Sequence, residues 1–231
     1  MKKKHNSKKQ NRKKLILGLS IILLILIIIA ILLSQGKKKE EAPVAKDEIM
    51  LNDSLKIVQI GEYNGPYLED GSNEEVSDVQ MIVLENTAEQ DLQYAEVILE
   101  YENVIAEYAV TNLPAGQKAL ILEKNRMEFT KKSLKKAVLT NVVFLEEMPL
   151  YEDIFEINGL DGVINVKNIS NNDISGDIYI YYKNIGEEMY LGGITYRVKI
   201  EAGLKSGEIR QLGASHFNAQ NCEILMISYV E

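Results

Sequence analysis

The sequence is poor in the residue types on which most catalytic and metal chemistry rests. A single cysteine, Cys222, excludes a disulfide scaffold and any zinc site built on several thiolates. Two histidines, His5 and His216, are too few for a His-rich metal centre. No tryptophan and only four phenylalanines leave little for a sugar-stacking cleft, and no paired carboxylates for glycoside hydrolysis can be picked out. There is no Gly-x-Ser-x-Gly elbow and no phosphate loop. With 46% hydrophobic and 26% charged residues the chain is nevertheless too apolar to be wholly disordered, and 231 residues suit one or two domains.

Charge is distributed unevenly. Residues 1–14 carry seven Lys and one Arg with no acid, a net of +8. Residues 47–231 carry 14 basic against 32 acidic side chains, a net of −18. So acidic a body is unsuited to nucleic acid, whose binding needs cations that displace condensed counterions. It is equally unsuited to lying flat on an anionic lipid surface.

Between the basic tail and Lys37–Lys39 runs Leu15–Leu33, in which sixteen of 19 residues are Leu or Ile. As a helix it would be about 28 Å long, matching a hydrocarbon core of roughly 30 Å. The run is longer than a signal-peptide core, and its nearest small-x-small site, Ser34-Gln35-Gly36, is followed at once by three lysines. The expectation is an uncleaved, single-pass signal anchor. Eight cations before it and four after it put residues 1–14 in the cytoplasm and residues 37–231 outside the plasma membrane. Without ionisable residues or a small-xxx-small pair, the span reads as an inert anchor whose partner is the bilayer.

Residues 34–50 read as a charged linker, and from Leu51 short alternating runs between Asn/Asp/Gly clusters predict β-strands. Only Phe129–Val138 reads as helical. The strongest internal signal is a repeat. Ile82, Leu84, Asn86, Asp91 and Leu92 align with Ile164, Val166, Asn168, Asp173 and Ile174. Val97, Leu99, Tyr101 and Asn103 align with Ile178, Ile180, Tyr182 and Asn184. Leu113-Pro-Ala-Gly116 then matches Leu204-Lys-Ser-Gly207, with about nine more residues before it in the second copy, assigned to an extra or longer strand over Ile194–Ile200. Two β-sandwich domains follow, over 51–147 and 148–231. The period-two triplets face their cores, the Asn-to-Asp stretch is a polar loop, and the glycine supplies a positive φ.

The Ile-x-Val-x-Asn, Asp-Ile, Ile-x-Ile-x-Tyr and Leu-x-x-Gly-Glu succession resembles the FxLYD-type immunoglobulin-like domains of bacterial surface proteins, over residues 160–212 and more weakly over 80–118. The Phe-x-Leu-Tyr-Asp signature itself is replaced by Ile180-Tyr181-Tyr182-Lys183-Asn184. The resemblance implies a non-catalytic extracytoplasmic module. The preference for Lys, with only four Arg among 26 basic residues, and the near absence of cysteine resemble the style of low-GC Gram-positive bacteria.

Candidate chemistry is weighed residue by residue. His216 reads as a loop or strand-end histidine, since the adjacent Ser215 points the other way on a strand. Cys222 opens an apolar strand and reads as a small buried hydrophobe. The acidic clusters, Asn168 to Asp177 among them, read as solvated turns rather than calcium loops. Lys131, Lys132, Lys135 and Lys136 form the one basic patch of the exterior and would share a helical face, where an anionic polymer, a lipid headgroup or the acidic second domain fits. Tyr179 and Tyr181 lie opposite the Ile178/Ile180/Tyr182 set, with Lys183 on their face and Tyr190 and Tyr196 near, and offer a contact surface. The sequence thus predicts a mainly β chain: one N-terminal transmembrane helix, then two tandem immunoglobulin-like β-sandwiches. The expected function is non-enzymatic binding or spacing of another surface protein, without cofactor, metal or nucleic acid. The alternative is an envelope-polymer or small-ligand sensor using Lys131–Lys136.

Overall fold

The computed structural model describes residues 48–229, which form thirteen β-strands and, among the described residues, no helix. The Leu15–Leu33 run lies outside them; within them no helix is long and apolar enough to cross a membrane. The first half holds β1 (Ile49–Met50), β2 (Leu55–Pro66), β3 (Glu75–Asn86), β4 (Asp91–Tyr101), β5 (Val104–Leu113), β6 (Lys118–Leu122) and β7 (Lys136–Leu145). The second holds β8 (Phe155–Leu160), β9 (Val163–Asn168), β10 (Ile178–Ile185), β11 (Tyr190–Ile200), β12 (Ile209–Gly213) and β13 (Cys222–Tyr229).

The halves repeat one arrangement. In the first, β2-β3-β6 faces β5-β4-β7; in the second, β12-β9-β8 faces β11-β10-β13. Each encloses a core. Leu55, Ile82, Leu84, Val97, Leu99 and Tyr108 fill the first. Ile164, Val166, Ile178, Ile180, Tyr182 and Ile200 fill the second. The period-two triplets are buried as their alternation predicts.

The repeated polar residues are structural pins. Asn86 is fully buried, and its Nδ2 donates to the carbonyls of Gln90 and Leu113 at 2.9 and 3.1 Å. Asn168, also fully buried, donates to Asn172 and Leu204 at 2.8 and 3.0 Å. Asp91 and Asp173 accept from the backbone N–H groups of Ala115 and Ser206. Each pin ties a loop to the following Leu-x-x-Gly turn, whose glycines, Gly116 and Gly207, sit at φ 72° and 75°. The motif recurs because one buried amide can bond the backbone of two chain segments at once.

The halves are not separate beads. β6 and β11 pair in parallel, Ala119 opposite Tyr190 and Leu120 opposite Leu191, so that β1-β2-β3-β6-β11-β10-β13 is one seven-stranded sheet. The extra residues of the second copy form the tip of the β10–β11 hairpin, and this tip makes the joint. Tyr190 enters the first core, and its hydroxyl donates to Glu223 at 2.8 Å. A Cβ on Gly193 would run into the carbonyl oxygen of Ala109, so β5 and β11 approach closely there. The pairing also covers two strand edges that would otherwise stand open.

Candidate interaction surface

Beneath the joint lies a polar node that the strand pattern did not reveal. Lys183 was expected on an outward face and is instead fully buried. It still faces away from the second core, but at this height that face is covered by the first half. Its Nζ donates to the carbonyls of Thr111, on β5, at 2.9 Å and Gly193, on β11, at 2.8 Å. The Thr111 and Thr195 hydroxyls lie 2.9 Å apart beside it. Glu69 reaches in from the loop after β2, accepting from the N–H groups of Leu122 at 2.9 Å and Gly193 at 2.8 Å. Burial pushes the Lys183 ammonium down to about 7, against a smaller upward pull from the Glu69 charge. Burial likewise raises the Glu69 carboxyl, partly offset by those backbone N–H groups. The node fixes how the two halves meet.

Farther along the same face, coverage ends. Tyr179 and Tyr181 pair across β10–β11 with Lys199 and Arg197. Thr195, at the same alternation, donates to Thr111 of β5, which places this row on the side of the shared sheet where β5-β4-β7 lies. Tyr179 and Tyr181 are half-buried, while Arg197 and Lys199 are exposed. The Arg197 guanidinium stands 4.9 Å from the centre of the Tyr179 ring. Lys199 bridges Asp177 at 2.8 Å and Glu201 at 3.4 Å. Asp177 is held below the usual carboxylate range, first by its bond to Lys199. The result is an aromatic sheet face on which the Asp177 and Glu201 carboxylates offset the charge of Lys199. The alternation of Thr195, Arg197 and Lys199 in the sequence was the signal for the β11 side of this face.

Tyr190 and Tyr196 do not join it. Tyr190 is buried in the first core. Tyr196 pairs with Tyr182 on the opposite face, its ring stacked between Tyr182 at 5.4 Å and His216 at 4.7 Å. His216 sits in the turn before β13, where Gly71 of the first half closes on its ring. Cys222 is half-buried, its Sγ 3.0 Å from Asn184 Oδ1, and burial raises the thiol. Among the described residues no group of three or more His, Cys, Asp or Glu is placed to hold a metal ion.

The basic patch is not helical. Phe129–Lys135 is irregular and Lys136 begins β7. The chain prefers a strand here because Ala137 and Leu139 pack on the first core, opposite Leu99 and Val97 of β4. Lys131 and Lys132 line an open hollow of about 590 Å³ with Val104, Met127 and Phe129, and Lys132 Nζ donates to the Glu102 carbonyl at 3.1 Å. Lys136 stands opposite Glu100 on β4. The four ammonium groups therefore do not share one helical face.

No family model matches the sequence, and no curated protein or solved structure matches it significantly.

Proposed function

We propose that the chain is a membrane-anchored, extracytoplasmic, non-enzymatic module that binds or spaces other proteins. In this reading Leu15–Leu33 is a single-pass anchor in the plasma membrane with residues 1–14 in the cytoplasm. Residues 51–147 and 148–231 are tandem immunoglobulin-like sandwiches of the FxLYD kind. The observation that carries it is the open Tyr179/Tyr181/Arg197/Lys199 face on a body whose two halves share one sheet. Large rings with polar ends beside an arginine are the chemistry that protein contacts favour. The joint supports a spacing role, since a shared sheet and a buried lysine hold the halves in one relative position. The acidic body, net −18 over residues 47–231, supports a partner other than nucleic acid.

The alternative, capture of an envelope polymer or small ligand by Lys131, Lys132, Lys135 and Lys136, draws support from the hollow beside Phe129. A pull-down from intact membranes separates the two. Tyr179→Ser with Tyr181→Ser changes the captured protein in the first reading, and charge reversal of the four lysines changes the captured polymer in the second. For the anchor, a cysteine at position 45 should react with an impermeant thiol reagent in intact cells and one at position 3 should not; the reverse labelling would sink the orientation.

A further inference from the structure

We infer that this chain pairs with a second copy of itself through the free edge of β7, strand against strand in antiparallel order. The inference goes beyond the contact-face reading and does not depend on it. β7 ends its sheet, with β4 on one side and no strand on the other. Residues 140–143, at its middle, are all exposed, and Val142 and Val143 keep 38% and 45% of their surface open. From Ala137 to Leu145 the strand carries no charge, no proline and no glycine, and it is rich in β-branched and aromatic residues. Such an edge is a row of unpaired backbone donors and acceptors, which chains ordinarily blunt with a charge, a proline or a covering segment. The second half shows the covering solution. β13, the equivalent of β7 there, also ends its sheet, but its Ile227 N–H donates to the Pro149 carbonyl at 2.8 Å and the Tyr151 ring stands 5.0 Å from that of Tyr229. Among the described residues no backbone hydrogen bond reaches β7 from any element but β4.

The residues of the edge point to the occupant. Residues 135–147 read Lys-Lys-Ala-Val-Leu-Thr-Asn-Val-Val-Phe-Leu-Glu-Glu, with two lysines at one end, two glutamates at the other and Asn141 at the centre. Turned antiparallel on its own copy about Asn141, the strand lays its lysines beside the partner's glutamates at both ends, with apolar residues along each other between. A parallel copy would set lysine on lysine and glutamate on glutamate. All four charged side chains are exposed, and among the described residues none is held in an ion pair; Lys136 stands opposite Glu100 of β4 without bridging it. The acidic excess of the body is not found on this stretch, since residues 131–147 carry four lysines against two glutamates. The β4 acids Glu96 and Glu100 lie one strand farther from the axis. Thr140 is an extra residue against β4, a bulge at the middle of the strand, so the arms on either side of it are what the two copies lay together. Because one edge meets the same edge, the contact needs no second surface and closes as a dimer. Ten residues make a contact about 34 Å long that buries on the order of 800 Å² in total, less than a standard stable interface, so a weak, micromolar pair is expected.

The test is sedimentation velocity of the full-length chain in detergent, over a concentration series up to about 300 µM, on the wild type and two variants. One variant carries Lys135→Glu with Lys136→Glu, the other Glu146→Lys with Glu147→Lys. All four positions are exposed, so neither change disturbs the core. The wild type should dimerise. Each variant alone should associate about tenfold more weakly or worse, because both ends of the antiparallel pair turn repulsive. An equimolar mixture of the two variants should regain the wild-type association, since acidic ends then meet basic ends throughout. The charge of the whole body cannot mimic this pattern, because the first variant is four charges more acidic than the wild type and the second four charges less. Monomer throughout the series, variants that associate as the wild type does, or a mixture that stays monomeric overturns the inference. A monomer whose β7 edge proves to be covered by residues 34–47 of its own chain does so too. Capture of another protein through Tyr179 and Tyr181 is read separately in the pull-down, so loss of the dimer leaves the contact-face reading standing.

Discussion

Lys183→Met provides a direct test of the buried joint. The ammonium is fully enclosed and bonded to two carbonyls, and its folded value near 7 lies well below the ordinary 10.5. Between those values the unfolded chain holds a proton that the folded chain has released. Stability therefore rises with pH across that window, by up to about 1.4 kcal/mol per unit, and is flat with respect to this group below it. From pH 7.5 to 9.5 the wild type should gain about 2–3 kcal/mol relative to Lys183→Met, whose side chain has a similar length and does not titrate. Taking the difference cancels the titrating groups that do not interact with Lys183, the raised tyrosines among them, and leaves Glu69 as the one coupled carboxyl. Near pH 7 the substitution itself should cost little, because the Gly193 and Thr111 carbonyls keep the Thr111 and Thr195 hydroxyls at 3.1 Å. Urea titrations at five pH values, made on both proteins, give the difference directly. A wild-type-minus-mutant difference that is constant with pH would show that Lys183 keeps an ordinary affinity for its proton, and the described burial would be wrong.

Asn168→Ala should cost about 1–3 kcal/mol in thermal or urea unfolding, since it strands the N–H of Ser170 and removes one of two donors from each of the carbonyls of Asn172 and Leu204; a loss under about 0.5 kcal/mol would mean that water replaces the pin. Gly193→Ala should loosen the joint, because its Cβ has no room against the Ala109 carbonyl, and hydrogen exchange at Leu120 and Leu191 should accelerate; unchanged exchange there would refute the close approach of β5 and β11. Ile180→Ala should cost about 2–5 kcal/mol, and Tyr181→Ser clearly less, because Ile180 is fully buried and Tyr181 only half. Equal losses at the two positions would mean that the Tyr181 face is also covered.

Much of the fold was legible in the sequence because it depends on local rules. Alternation over Val97–Tyr101 and Ile178–Tyr182 assigned core faces, since the side-chain period of a strand is two whatever surrounds it. The repeated Asn, Asp and Gly marked equivalent loops, since each satisfies nearby backbone or a positive φ. Phe129–Val138 misled, because the spacing of its lysines suited a helix while the core contacts of Ala137 and Leu139 required a strand. The fate of Lys183 was invisible for a related reason. A lysine on the outer side of a strand is ordinarily solvated, and nothing beside it in sequence says that β5, some seventy residues earlier, lies across it. The sequence by itself determined the strands, their core faces and the two-fold repetition, all consequences of local pattern. The tertiary structure alone decided that the halves share one sheet, that Lys183 is sealed at their joint, and that Tyr179 and Tyr181 stay open beyond it, because each depends on which distant strand covers a face.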